Sequence, residues 1–175
     1  TPLYSSAASD VYKRQPIIHF AKISKLSLIL SMCEAYITRE VYAEAAERGQ
    51  GRPDSMTIRE AVERRELRVY DVRDRSAVKR LLRHRELHLG EAETMAAAKE
   101  LNAYAVIDEA EARVVAKTYG VKTRTGTLFL LFRLLAKGLI DGATCEKLLD
   151  ELVESGLYID SRTLIRARRK ISGAS

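Results

Sequence analysis

The stretch from Leu89 to Thr127, LGEAETMAAAKELNAYAVIDEAEARVVAKTYGVKTRTGT, constrains the fold more than any other part of this chain. Gly90-Glu91-Ala92-Glu93 puts two carboxylates in the first turn of an alanine-rich helix. The apolar run Ala103 to Ile107 has the length of a buried strand and ends directly in Asp108 and Glu109. A second helix follows, then a short segment closing on Gly126-Thr127. The order is helix–strand–helix–strand, with acids at a helix start and at the C-terminal end of a strand. In open parallel sheets, sites form in the crevice beyond those strand ends. Carboxylates gathered there suit a hard divalent cation, Mg²⁺ or Mn²⁺. The pattern points to metal-dependent phosphodiester chemistry.

The rest of the chain repeats the alternation. From Pro16 to Met32 apolar residues recur densely enough for one buried helix or two short ones, and Ala35–Ile37 reads as a strand. Thr38 is a candidate cap for a helix from Arg39 to about Glu47, closed by Gly49. Pro53-Asp54-Ser55 opens a helix to about Arg65, Leu67–Val72 reads as a strand, and Asp74 caps a basic helix reaching Glu86. After Thr127 come an apolar helix stopped by Gly138, an amphipathic helix from Thr144 to Ser155, and a basic helix capped by Asp160-Ser161 and running from Arg162 to Ile171. Short strands alternating with helices predict an α/β/α sandwich with a short-stranded, mostly parallel sheet and a C-terminal helical hairpin. The domain is expected over residues 16–138, with the hairpin, 139–175, packed on it.

Composition narrows the class. With 175 residues, 46% hydrophobic and 31% charged, the chain reads as one soluble domain with a real core. The longest strongly apolar stretch, Thr127 to Ala136, contains Arg133 and is too short to span a bilayer. No secretory h-region is evident, and Cys33 and Cys145 are far apart with no CxxC, so free thiols and a cytoplasmic location are expected. A net charge of +6 would attract a polyanion such as RNA, although the arginines between Arg64 and Arg85 are interleaved with Glu60, Glu63, Glu66 and Glu86 and suit solvated helix faces equally well.

Five segments, PIIHFAKISKL, YITREVYAEA, LGEAETMAAA, AYAVIDEAEARVVAKTYG and TRTGTLFLLFRLLAKGLI, together resemble the PIN-domain family, closest to its VapC-like branch. The likeness runs from about Pro16 to Ile171. It implies a metal-dependent endoribonuclease, the toxin of a pair with a small antitoxin protein, with three or four carboxylates around Mg²⁺ or Mn²⁺. On the matching positions it implies Glu44, Glu93 (with Glu91 as the alternative), Asp108 and Glu109 as the catalytic and metal-binding acids. Thr127 matches a hydroxyl position of the family. Arg113, on the helix after the acid pair, is a candidate for substrate phosphate or for a structural ion pair. These acids are expected to converge beyond the strand ends, and apolar surface on the two C-terminal helices to serve a homodimer or an antitoxin.

One position departs from the family. Its first acid, an Asp ending the first strand, falls where this chain has Lys13. Residues Thr1–Gln15 are Ser/Ala-rich, lack periodicity, and read as a non-native, loosely packed segment that fails to supply a full-length central strand. An ammonium there would repel a metal ion, and Asp10 could substitute only if the strand ran three residues out of register. This chain is therefore expected to be impaired. The alternative is a non-catalytic PIN-like module that binds RNA or an antitoxin; a Rossmann-like small-molecule enzyme is a third choice, without a GxGxxG motif to support it. Each acid also has a plainer explanation by itself. Glu91 and Glu93 would favour the helix dipole, Asp108 and Glu109 would cap the next helix, and Glu44 would be a solvated face residue. His19, His84 and His88 share no ligand spacing and read as packing or surface residues.

Overall fold

In the computed structural model, which describes residues 8–48 and 51–173, five strands form one sheet: β1 (Asp10–Tyr12), β2 (Ala35–Thr38), β3 (Arg68–Tyr70), β4 (Tyr104–Ile107) and β5 (Thr123–Thr125). All pairings are parallel and the order is β3-β2-β1-β4-β5. The chain thus winds outward in one direction through β3 and in the other through β5. The switch point lies between β1 and β4, where the crevice of an open α/β sheet opens.

Helices cover both faces. In chain order they are α1 (Arg14–Lys22), α2 (Leu26–Leu30), α3 (Arg39–Tyr42), α4 (Pro53–Glu63), α5 (Arg75–Leu81), α6 (Leu89–Glu100), α7 (Ala110–Thr118), α8 (Thr127–Ala136), α9 (Gly142–Glu154) and α10 (Ser161–Ser172). A π-helical turn, Ala43–Glu47, continues α3. Two apolar clusters follow from the strand period of two. Tyr12, Ile37 and Val106 enter the layer made by α1 to α4 and α8 to α10, whereas Val11, Ala105 and Ile107 enter the layer made by α5 to α7. Every residue of β1 is fully buried, as a strand covered on both faces must be.

Local chemistry sets the boundaries. Thr38, Asp74, Asp141 and Asp160 accept backbone N–H bonds from Val41, Ala77, Thr144 and Thr163 at 3.4, 2.9, 2.7 and 3.0 Å, which starts α3, α5, α9 and α10. Helix α5 stops at Leu81 rather than reaching Glu86. Strand β3 is likewise shorter than the apolar text suggests. The closure expected at Gly49 lies outside the described residues.

The N-terminal expectation is corrected in one respect. Thr1–Ala7 lie outside the described residues, but Asp10–Tyr12 do form the central strand, bonded to both β2 and β4. Three residues suffice because every strand of this sheet has only three or four. The buried charge of Asp10 is tolerated because Arg124 and Arg133 pair with it at 3.2 and 2.8 Å. Pairing of Asp10 with Ala35 and Tyr104 puts it at the N-terminal end of the sheet, so no register shift brings it to the crevice. Among the described residues no helix is long and apolar enough to cross a membrane.

Candidate functional site

Lys13 follows β1 and Asp108-Glu109 follow β4, so the switch point itself juxtaposes these three residues. The Lys13 N–H donates to the Val106 carbonyl at 3.1 Å, continuing the ladder to the crevice edge. Its side chain is buried and its ammonium forms ion pairs with Glu91 and, at 2.7 Å, with Glu109. Glu91 comes from the first turn of α6, where it also accepts the His88 N–H at 2.7 Å. Burial alone would raise the Glu91 pKa, but the hydrogen bond and charge of Lys13, helped by the His88 amide, hold it below the ordinary carboxylate value. Burial opposes the charge on Lys13 in the same way, and its bonds to Glu109 and Glu91 outweigh that and hold its pKa above the ordinary value.

The other acids take different partners. Glu93, also buried, binds Arg75 at 2.6 Å and accepts the Glu40 N–H at 3.3 Å, tying α6 to α5 and to the start of α3. Of the two acids in the GEAE turn, it is therefore Glu91, not Glu93, that reaches Lys13. Glu44 sits on the π-helical turn with Arg14 and Arg48 at 3.9 and 4.0 Å; a Cβ placed on Gly90 would lie 3.4 Å from its carboxylate. The Glu44 carboxylate thus lies against the start of α6. Asp108 accepts the Thr127 N–H at 2.9 Å and the Thr127 hydroxyl at 3.1 Å, and packs so closely on Gly126 that a Cβ there would collide with its carboxyl. Arg113 donates to the carbonyls of Ile107 and Asp108, closing the end of β4.

The arrangement separates the acids by function. Glu91 and Glu109 meet at one ammonium, Glu93 and Asp108 brace elements, and Glu44 lies among arginines. Among the described residues no group of three or more His, Cys, Asp and Glu side chains is placed to hold a metal ion. Lys13, buried between the two nearest acids, already supplies their positive charge. As arranged in this chain, the donors do not fit a divalent cation.

Compared with known families, residues 11–173 match a family model, DUF3368, described as a PIN domain. The chain belongs to the PIN-domain family. No curated protein matches it. The five-stranded parallel sheet flanked by helices is a PIN-like α/β/α fold, and the family is of a nuclease type that generally uses divalent metals. Two features of this PIN domain escaped the sequence reading. One is the burial of Asp10 beneath Arg124 and Arg133, whose long separation in sequence gave no signal. The other is Tyr158, an aromatic residue in the short connection between two capped helices, which was visible in the sequence but had no pattern to mark it.

Proposed function

We propose that this PIN domain is built on an endoribonuclease plan, with Lys13 standing where the cation of a metal-dependent nuclease would sit. In this chain the domain binds RNA and cuts it weakly or not at all. The observation that supports this is the Lys13 ammonium held between Glu91 and Glu109 at the end of the central strand. An internal cation already neutralises those acids, and a second cation would be repelled by the first. A net charge of +6 favours a polyanionic partner. The preferred ions of the nuclease plan are Mg²⁺ or Mn²⁺, and the protein partner in this proposal is a small antitoxin, supported by the order and spacing of the segments alone.

The test replaces Lys13 by Asp. Because β1 is in place, the new carboxylate would stand at the strand end beside Glu91 and Glu109, turning a neutralised pair into a cluster of acids. The unmodified chain is expected to leave single-stranded RNA intact with Mn²⁺ present. Lys13→Asp is expected to cleave it, EDTA to stop the cleavage, and Glu91→Gln in that background to abolish it. Full activity of the unmodified chain in EDTA would overturn the proposal. Lys13→Asp that binds RNA without cutting it would leave only the non-catalytic module.

A further inference from the structure

Tyr158 is 90% exposed, the most exposed large hydrophobic side chain among the described residues. It lies in the six-residue connection between α9 and α10, yet the connection is anchored. The Leu157 N–H bonds to the Leu152 carbonyl at 2.9 Å, and Leu157 and Ile159 on either side of the tyrosine pack against the core. Its backbone is thus fixed while its ring is offered to solvent. Two cavities share Tyr158, Leu157 and Asp108 as walls. The larger, about 620 Å³, continues past Arg113, Thr125 and Thr163. The smaller, about 320 Å³, ends at His19 and Gln15.

His19 gives the smaller cavity a polar floor. It is only 8% exposed on α1, and its Nδ1 has no hydrogen-bond partner among the described residues. His19 lines this cavity, so a group bound there meets the edge of the imidazole. Burial lowers the pKa of the ring against the opposing field of Asp108, with Lys22 adding to the lowering, which favours the uncharged imidazole. A neutral imidazole carries one donor and one acceptor that point apart, so a base edge bonds to one ring nitrogen.

We propose that Tyr158 and His19 form a nucleobase pocket for single-stranded RNA, in which an unstacked base lies against the tyrosine ring and bonds through its edge to His19. This rests on the RNA-binding proposal above and specifies its substrate: an unpaired base next to the crevice, since Asp108 walls both the pocket and the end of β4. Sequence-specific contact with RNA is made in this way, with splayed bases stacked on aromatic side chains. A duplex keeps its bases stacked and cannot enter.

The test uses the full chain in EDTA, so that binding is read without cleavage. The probes are a short single-stranded RNA with 2-aminopurine at its central position and the same RNA with an abasic centre. The base-containing probe is expected to bind about tenfold more tightly than the abasic one and to lose fluorescence on stacking. Tyr158→Ala should bind both probes equally, Tyr158→Phe should keep the preference, and His19→Ala should weaken only the base-containing probe. Tyr158 is exposed, so its replacement should leave the thermal melt unchanged. If the wild type binds both probes equally, or Tyr158→Ala keeps the preference, the pocket is overturned while RNA binding stands. Equal binding of the matched duplex also overturns the pocket, and no binding of any probe overturns both proposals.

Discussion

Lys13 shows how one side chain can supply the charge that neighbouring acids call for. The buried Glu91 and the part-exposed Glu109 share one positive charge, and the Lys13 ammonium provides it without leaving the chain. The pKa shifts of Glu91 (down) and Lys13 (up) define where this pairing stabilises the fold. A depressed carboxylate contributes fully above its ordinary pKa of about 4.3 and is lost as pH falls through the depressed value; a raised amine contributes fully below about 10.4 and is lost as pH rises through the raised value. Stability from the pair should therefore be flat between about pH 5 and 10 and decline on either side. Lys13→Met leaves Glu91 buried and unpaired and is expected to cost about 3–5 kcal/mol at pH 7. That cost should shrink in acid, as Glu91 takes up a proton, and Lys13→Met with Glu91→Gln should recover most of it. Urea unfolding at pH 5, 7 and 9 measures all three; a single variant as stable as the wild type throughout would show that the ion pair carries no weight.

At the scale of elements, the residue after β4 packs closely on the start of α8. Gly126→Ala would drive a methyl group into the Asp108 carboxyl and is expected to cost roughly 1–3 kcal/mol, seen as a lowered denaturation midpoint with an unchanged slope. An unaltered midpoint would mean that Asp108 swings aside freely. Most elements could be read before the structure because their signals are local: Thr38, Asp74, Asp141 and Asp160 cap helices at positions their types favour, and the run Ala103–Ile107 contains β4. What could not be read is non-local. A three-residue strand carrying Asp10 has no apolar run, and it exists because β2 and β4 bond to it from both sides. The choice between Glu91 and Glu93 was open for a similar reason. Two residues apart on a helix, they point about 200° from each other, and only the packing of α6 shows which faces β1. The π-helical turn beneath Glu44 has no sequence period at all.

For the whole molecule, charge and topology have separate consequences. If the net +6 steers RNA to the domain, binding in EDTA should depend strongly on salt. Neutralising about four phosphates would weaken affinity about fifty-fold between roughly 50 and 200 mM salt, and titration by anisotropy at several concentrations gives the slope. A flat response would exclude an electrostatic interface. The strand order imposes a delay on a newly made chain. β1 can pair with β2 almost at once, but its other neighbour, β4, is about ninety residues further along. At bacterial-to-eukaryotic synthesis rates of about 5–20 residues per second, the central strand waits roughly 5–20 s with one row of N–H and C=O groups unsatisfied. An open edge of that kind can pair with another nascent chain. The strand that holds the middle of the finished sheet is thus its most exposed border while the protein is being made, and a ribosome that stalls between β2 and β4 leaves that border open.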